Sequence, residues 1–316
     1  MPSLLKFLSD SRTFKHVIQK LDTIKLGKKE ISIYSFLNIY IQSYHRHEIW
    51  NRSSSVAFSF TLALFPAIIF LITLIPYIPI PELYEEVITL IGDLSMFSQV
   101  TSTIDDVINR PRGNLLSFSV LLSIYLANNG MLSLMTAFNK IYKTVEKRGF
   151  FKTRLISFSL TFLLAFSLFV AVVLLIVGQF VLNYLLSEGW LNRDMSLYSI
   201  IFLRFFTMAI VFLLAISSVY YFAPALHRRW KFISPGSLIS TSLIMIITYG
   251  FSYYISNFGT YNKLYGSIGA MIALMVWLFL ISIILLSGFE INASLERAEQ
   301  QKKKKNKSLD FFAGKN

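Results

Sequence analysis

The stretch LISFSLTFLLAFSLFVAVVLLIVGQFVLNYLLS, residues 155–187, decides the fold class of this chain. It contains no charged side chain, and about 20 apolar residues are enough for a helix to cross the hydrocarbon core of a bilayer. A helix of a soluble domain would show a polar face within this length. The stretch is therefore predicted to be a transmembrane helix.

Five further intervals along the chain are free of charged residues or nearly so. Together with the first they predict six spans, at about residues 55–80, 114–138, 155–186, 196–222, 234–258 and 266–291. The composition agrees, because 54% of the 316 residues are hydrophobic and 15% are charged, whereas soluble domains carry about 25% charged residues. The sequence thus predicts an all-α, polytopic membrane protein with six transmembrane helices.

The basic residues predict the orientation of these spans. Of the 30 lysines and arginines, 25 lie before span 1, between spans 2 and 3, between spans 4 and 5, or after span 6. Only 4 lie in the other loops, and Arg204 lies inside span 4. Because basic loops stay in the cytoplasm, both ends are predicted to be cytoplasmic, N-in and C-in. The net charge of +13 is then mainly an orientation signal, and we expect no nucleic-acid partner.

The segments outside the spans suggest three regions. Residues 1–52 form a cytoplasmic N-terminal segment, in which 31–50 has the spacing of an amphipathic helix, either at headgroup depth or packed on the loops. Residues 53–293 form the membrane domain, and 81–112, between spans 1 and 2, are predicted to form amphipathic external helices that act as a lid or as packing. Residues 294–316 are a basic cytoplasmic tail, expected to be disordered and either bound to anionic lipid of the inner leaflet or solvated.

Groups for catalysis are scarce in this chain. Cysteine is absent, and none of the short phosphate-binding, nucleophile or zinc motifs occurs. His45 and His47 could not share one face of a helix, and no cluster of carboxylates accompanies them. We therefore expect no enzyme activity, no cofactor and no metal site.

Charged residues inside spans are the first candidates for substrate binding or gating, because burying them is costly. Arg204 lies about 10 Å from the external end of span 4, where its side chain could reach outward or bind an anion. Glu290 lies near the cytoplasmic end of span 6. It could form an ion pair with Arg228 or Arg229, or it could couple transport to protons.

Uncharged polar and small residues complete the candidates. Three amides in span 2 could form interhelical hydrogen bonds or contact substrate: Asn128, Asn129 and Asn139. Three tyrosines near the junction of spans 5 and 6 are candidates for binding or gating: Tyr254, Tyr261 and Tyr265. Three small residues there predict close helix packing: Gly266, Gly269 and Ala270.

Several of these residues belong to longer stretches that resemble one family. The stretches are AFSFTLALFP (57–66), NGMLSLMTAFNKIY (129–142), YYFAP (220–224), PG (235–236) and YGSIGAMIALMVWLFLISIILLSGFEINASLER (265–297). They resemble the YihY/BrkB family of bacterial inner-membrane proteins, once labelled ribonuclease BN. The resemblance covers residues 35–296, and it implies six spans with both ends in the cytoplasm.

The resemblance also implies a function at the envelope, because members of that family have been connected with lipid export and serum resistance. It favours a transporter or flippase for a lipid or an organic anion, involved in envelope maintenance in the bacterial inner membrane. The alternative is a non-catalytic structural or scaffolding membrane protein. Membrane lipids, with anionic lipid at the basic tail, are the expected partners, and a homo-oligomer stays open.

Overall fold

The structure is a computed structural model that describes residues 23, 25–26, 31–74, 113–187, 193–226, 230–256 and 259–313. These residues form one pair of short strands and seven helices. The strands, β1 (Lys25–Leu26) and β2 (Ile31–Ser32), are antiparallel. The helices are α1 (Ile33–Arg46), α2 (Ile49–Leu74), α3 (Gly113–Tyr142), α4 (Phe150–Ser187), α5 (Arg193–Phe222), α6 (Pro235–Ser256) and α7 (Gly259–Ala313).

Five of the helices contain a stretch that is long and apolar enough to cross a membrane. The stretches are Ser117–Tyr142, Phe150–Ala171, Phe205–Phe222, Pro235–Tyr254 and Met271–Lys304, one in each of α3 to α7. The prediction of an all-α polytopic membrane protein is confirmed. Helix α2 overlaps the predicted first span at residues 55–74, while the count of six spans and the N-in, C-in orientation stay predictions. The predicted external helices at 81–112 lie outside the described residues.

Helix α1 is the predicted amphipathic helix. Its first turn is capped by Ser32, whose Oγ accepts a hydrogen bond from the Ser35 N–H at 3.4 Å. One face packs on α7, while Leu37 and Ile41 on another face are exposed. The position of α1 at headgroup depth stays a prediction.

The C-terminal tail differs from its prediction. We expected residues 294–316 to be disordered, whereas α7 continues through them to Ala313. The residues after the span are Glu, Arg, Ala, Gln and Lys, which are strong helix formers. Lys303 and Glu299 also form an ion pair one turn apart, at 2.8 Å. Propensity and charge spacing therefore extend a helix that the membrane span has already nucleated.

The best-packed region lies at the end of the bundle where the cytoplasmic loops are predicted, here named the inner end. The rings of Phe138 on α3 and Phe289 on α7 stack with centroids 4.2 Å apart. Tyr220 on α5 meets them edge-on, at 5.6 and 5.8 Å. All three side chains are fully buried or nearly so, so aromatic packing joins α3, α5 and α7.

Helices α6 and α7 approach closely at two glycines. A Cβ atom at Gly236 would collide with the Gly288 carbonyl oxygen, and one at Gly288 would collide with Ser240 Oγ. The Tyr220 hydroxyl donates to the Leu285 carbonyl at 2.7 Å. Only glycine, which has no Cβ atom, leaves room at positions 236 and 288 for α6 and α7 to approach this closely.

The packing prediction concerned three other small residues. Gly269 is buried in α7, while the surroundings of Gly266 and Ala270 lie outside the described part of the chain. Their role in helix packing therefore stays a prediction, and the described close contact of α7 lies about five turns after Gly269, at Gly288.

Candidate functional site

Glu290 lies in the middle of the inner end, with none of its surface exposed. Its Oε1 accepts hydrogen bonds from Arg297 Nη1 at 2.7 Å and from Ser294 Oγ at 2.8 Å. Its Oε2 lies 2.9 Å from His47 Nδ1. The carboxylate thus has an arginine, a hydroxyl and an imidazole around it, and we name Glu290, Ser294, Arg297 and His47 the inner cluster.

Two features of local structure assemble the inner cluster. Ser294 and Arg297 follow Glu290 by four and seven positions, so the three share one face of α7. His47 reaches the same point from the turn between α1 and α2, where Glu48 adopts a positive φ of 49°. Arg52 Nε donates to the His47 carbonyl oxygen at 2.8 Å and holds this turn.

Arg297 extends the inner cluster to two more helices. Its Nη1 also donates to Ser43 Oγ on α1 at 3.0 Å, and its Nη2 donates to the Ile141 carbonyl in the last turn of α3 at 2.7 Å. The carbonyls of a last helical turn have no partner within the helix. One guanidinium therefore joins α1, α3 and α7 while it neutralises Glu290.

A further polar group lies beside the inner cluster. On α1, burial raises the pKa of the Tyr40 phenol; the nearby Ser287 side chain lowers it, and Tyr44 and Glu290 add smaller increases. The phenol stays neutral at physiological pH. His47 Nε2 is buried and has no hydrogen-bond partner among the described residues.

Asn139 organises the loop between α3 and α4. Its Oδ1 accepts from the Ala225 N–H and its Nδ2 donates to Glu146 Oε2, both at 2.8 Å. Arg148 donates to Glu146 from Nε and Nη2, each at 2.6 Å. These hydrogen bonds, with a further one from the Arg148 N–H, lower the pKa of Glu146. Asn139 therefore connects two loops at the inner end.

Asn128 and Asn129 connect α3 to α4. Arg154 Nη1 donates to Asn129 Oδ1 at 2.8 Å. Ser157 Oγ donates to the Asn128 carbonyl at 3.0 Å and also contacts Asn128 Oδ1. Both amides make the interhelical bonds that were one of their two predicted roles, and a role in substrate binding stays a prediction.

The remaining candidates are Arg204 on α5, Tyr254 on α6, and Tyr261 and Tyr265 on α7. Roughly 24 Å of helix separates Arg204 from Tyr220, the residue of α5 at the inner end. Tyr254 is 48% exposed and lies roughly 27 Å along α6 from Gly236. The side chains of Arg204, Tyr261 and Tyr265 lie outside the described part of the structure. Tyr254 is therefore not brought to Glu290, and the roles of Arg204, Tyr261 and Tyr265 stay predictions.

Sequence reasoning missed most of the inner cluster. It proposed Arg228 and Arg229 as partners of Glu290, and both lie outside the described residues. In the structure, Arg297 and His47 contact the Glu290 carboxylate. The seven-residue spacing from Glu290 to Arg297 was a usable signal for one helix face. No comparable signal could have indicated His47.

The structure separates the two histidines that could have formed a metal or catalytic pair. His45 is exposed, while His47 is buried against Glu290. Within the described ranges, no group of three or more His, Asp or Glu side chains could hold a metal ion.

The amino-acid sequence of this chain is similar to those of known proteins. The family model described as virulence factor BrkB matches residues 40–310. A Bacillus subtilis (strain 168) protein named as ribonuclease-like protein YfkH is 33% identical over 269 residues, which are 84% of this chain and 97% of that protein. A UPF0761 membrane protein of Tolumonas auensis is 26% identical over 182 residues, 57% of each chain. One of Photobacterium profundum is 36% identical over 86 residues, 27% of each. No solved structure matches.

Proposed function

This chain belongs to the virulence factor BrkB family, as a multi-pass protein of the bacterial inner membrane, and we propose that it is a transporter or flippase for a lipid or an organic anion. The observation that supports this proposal most is the fully buried carboxylate of Glu290 inside an apolar helical bundle. Ionisable residues within membrane spans are costly, and they commonly mark the path of a substrate or an ion.

Stability alone gives little reason for such a group. Removing an ion pair from water costs several kcal/mol per ion, and well-packed apolar residues in the same place are often as stabilising or more so. We therefore infer that Glu290 does more than stabilise the bundle. It could control the movement of the segments that it joins.

The contacts of the inner cluster suggest how the movement would occur. Glu290 and Arg297 hold the α1–α2 turn and the end of α3 against α7. An anionic substrate that replaces the Glu290 carboxylate as the partner of Arg297 would release these contacts and open the inner end. Such a substrate favours the open state because it binds that state more tightly. In this proposal Arg204 supplies a cation for the substrate near the outer end.

Transport in proteoliposomes tests the proposal directly. We expect the purified protein to move a fluorescent anionic phospholipid between leaflets, and Glu290→Gln to slow this movement by about tenfold or more, which corresponds to about 1.4 kcal/mol of barrier. Glu299→Gln is the matched control, because Glu299 lies on the same helix outside the inner cluster and forms an ion pair with the exposed Lys303 at 2.8 Å. Unchanged transport by a folded Glu290→Gln variant would remove Glu290 from the mechanism.

A structural or scaffolding function is the second candidate, and one observation favours it. Both oxygens of Glu290 are occupied by partners, so the inner cluster could also serve as a fixed joint. This function predicts no lipid movement by the wild-type protein. It also predicts that deleting residues 302–316, the basic end that we propose to contact anionic lipid, abolishes function in cells.

We propose that the chain is not a ribonuclease, although the Bacillus relative carries a ribonuclease-like name. Among the described residues, the opposite exposure of His45 and His47 leaves no pair of imidazoles to share an acid and a base role. Highly purified protein should leave RNA intact. Cleavage that is lost in His47→Gln and in His45→Gln would overturn this proposal.

A further inference from the structure

A cavity of about 500 Å³ lies at the inner end, between the α3–α4 loop and the end of α5. Its volume falls in the range of ligand sites, about 300–1,000 Å³. Three basic residues line it, Lys147, Arg148 and Lys152, and its described lining includes no acidic residue. The cavity is separate from the inner cluster, since neither Glu290 nor any of its bonded partners lines it.

The three basic residues differ in how their charge is used. Arg148 is occupied, because it donates to Glu146 and, through Nη2, to the Ala223 carbonyl at 2.9 Å. It therefore fixes the loop against α5 and forms a wall of the cavity. Lys147 and Lys152 are exposed and form no ion pair with a described carboxylate. The cavity lining thus has two ammonium groups that can bind a ligand, while the charge of Arg148 is balanced by Glu146.

The rest of the lining is apolar. Ile156, Phe222 and Pro224 line the side where α4 and α5 enter the membrane. Phe150 and Phe151 lie in the chain between Gly149 and Lys152 of the lining and are 70% and 86% exposed. Aromatic side chains with such exposure are typical of the boundary between headgroups and hydrocarbon. A ligand here would meet cations on one side and apolar side chains on the other.

We propose that this cavity binds the phosphate group of an anionic amphiphile, with Lys147 and Lys152 at the phosphate oxygens and the apolar chain along Ile156 and Phe222. Lysine ammonium groups bind phosphate as point charges. The first turn of α4 adds backbone N–H groups beside Gly149, which lines the cavity. The phosphate belongs to a phospholipid of the inner leaflet or to a soluble phosphate ester, and the apolar wall favours the lipid.

Direct binding in detergent solution tests the site without any transport step. The probes are short-chain phosphatidylglycerol, short-chain phosphatidylcholine and glycerol 3-phosphate, each titrated against labelled, purified full-length protein. We expect phosphatidylglycerol to bind most tightly. The double variant Lys147→Gln/Lys152→Gln should weaken it by about tenfold or more. The control Lys140→Gln/Lys231→Gln removes two exposed lysines outside the cavity lining and should leave binding unchanged.

Each other outcome overturns a stated part of the proposal. Equal weakening by the control variant would mean that general surface charge binds the lipid and that the cavity is not a site. Equal affinity for glycerol 3-phosphate would show that the apolar wall does not contribute to binding and that the ligand is a soluble phosphate ester. Equal affinity for phosphatidylcholine would show that Lys147 and Lys152 do not select an anionic lipid. Glu290 is intact in every variant, so failure here leaves the transport proposal standing, and loss of transport leaves this site standing.

Discussion

Replacing Arg297 by methionine tests the energetic role of the inner cluster. Methionine keeps an unbranched chain of similar reach but removes the guanidinium that contacts Glu290, Ser43 and the Ile141 carbonyl. Glu290 would keep its contacts with Ser294 and His47 and lose its cation. A buried charge without its counter-ion is strongly destabilising, because the protein interior solvates it poorly.

The structure sets the size of the effect. Breaking a buried ion pair by removing one partner costs about 3–5 kcal/mol. The Arg297 side chain is 25% exposed, so water can enter the space it leaves, and we expect the lower end of this range, about 3 kcal/mol. Adding Glu290→Gln removes the stranded charge. The double variant should therefore be more stable than the sum of the two single effects predicts, by about 2 kcal/mol.

Equilibrium unfolding in mixed micelles of a mild detergent and dodecyl sulfate, followed by helical circular dichroism, measures these free energies. The control is Lys303→Met, which removes an exposed cation of the same helix and should cost less than about 0.5 kcal/mol. A cost below about 1 kcal/mol for Arg297→Met, or strict additivity in the double variant, would refute the assignment of Arg297 as the essential counter-ion.

Three further predictions concern the inner end. Gly288→Ala should destabilise the protein by about 1–3 kcal/mol, because its Cβ would separate α6 from α7. Gly250→Ala on α6, where a Cβ meets nothing within 4 Å, should not destabilise it, and equal effects of the two would contradict the close contact. Asn292→Leu should cost about 1–3 kcal/mol in the same unfolding assay, since a buried backbone N–H of α6 loses its acceptor; a neutral result would show that this joint is not needed. The lowered pKa of Glu146 predicts stability that is present above its ordinary pKa of 4.5 and is lost as the pH falls through the lowered value. Glu146→Gln should flatten this loss at pH values below 4.5, and an unchanged profile would exclude Glu146 as its source.

The long helices were predictable because the lipid environment imposes one rule on each segment separately. Within a bilayer every backbone N–H and C=O must find a partner inside the protein, and a helix satisfies them all locally. The apolar run at 155–187 therefore specifies a helix without knowledge of its neighbours, and α4 spans Phe150–Ser187. The error at the C-terminus has the opposite origin, since charge suggested disorder where helix propensity continued α7 to Ala313.

The candidate site was predictable only in part. Glu290 was found because a carboxylate in an apolar span is conspicuous by itself. Its partner His47 lies 243 positions away, and nothing local to either residue indicates the other. Asn139 was singled out as an amide in the second predicted span, but its bond to the Ala225 N–H depends on a loop from another part of the chain.

The amino-acid sequence by itself determined that this is a helical membrane protein, and it predicted where the spans lie and which charged residues lie inside them. Those properties follow from the transfer of each segment from water to lipid, which depends on local composition and length. Only the tertiary structure decided that Glu290, Arg297 and His47 meet, and that Lys147 and Lys152 line one cavity. Such meetings depend on the rotation and packing of each helix against its neighbours, which the side chains of all the contacting helices determine together.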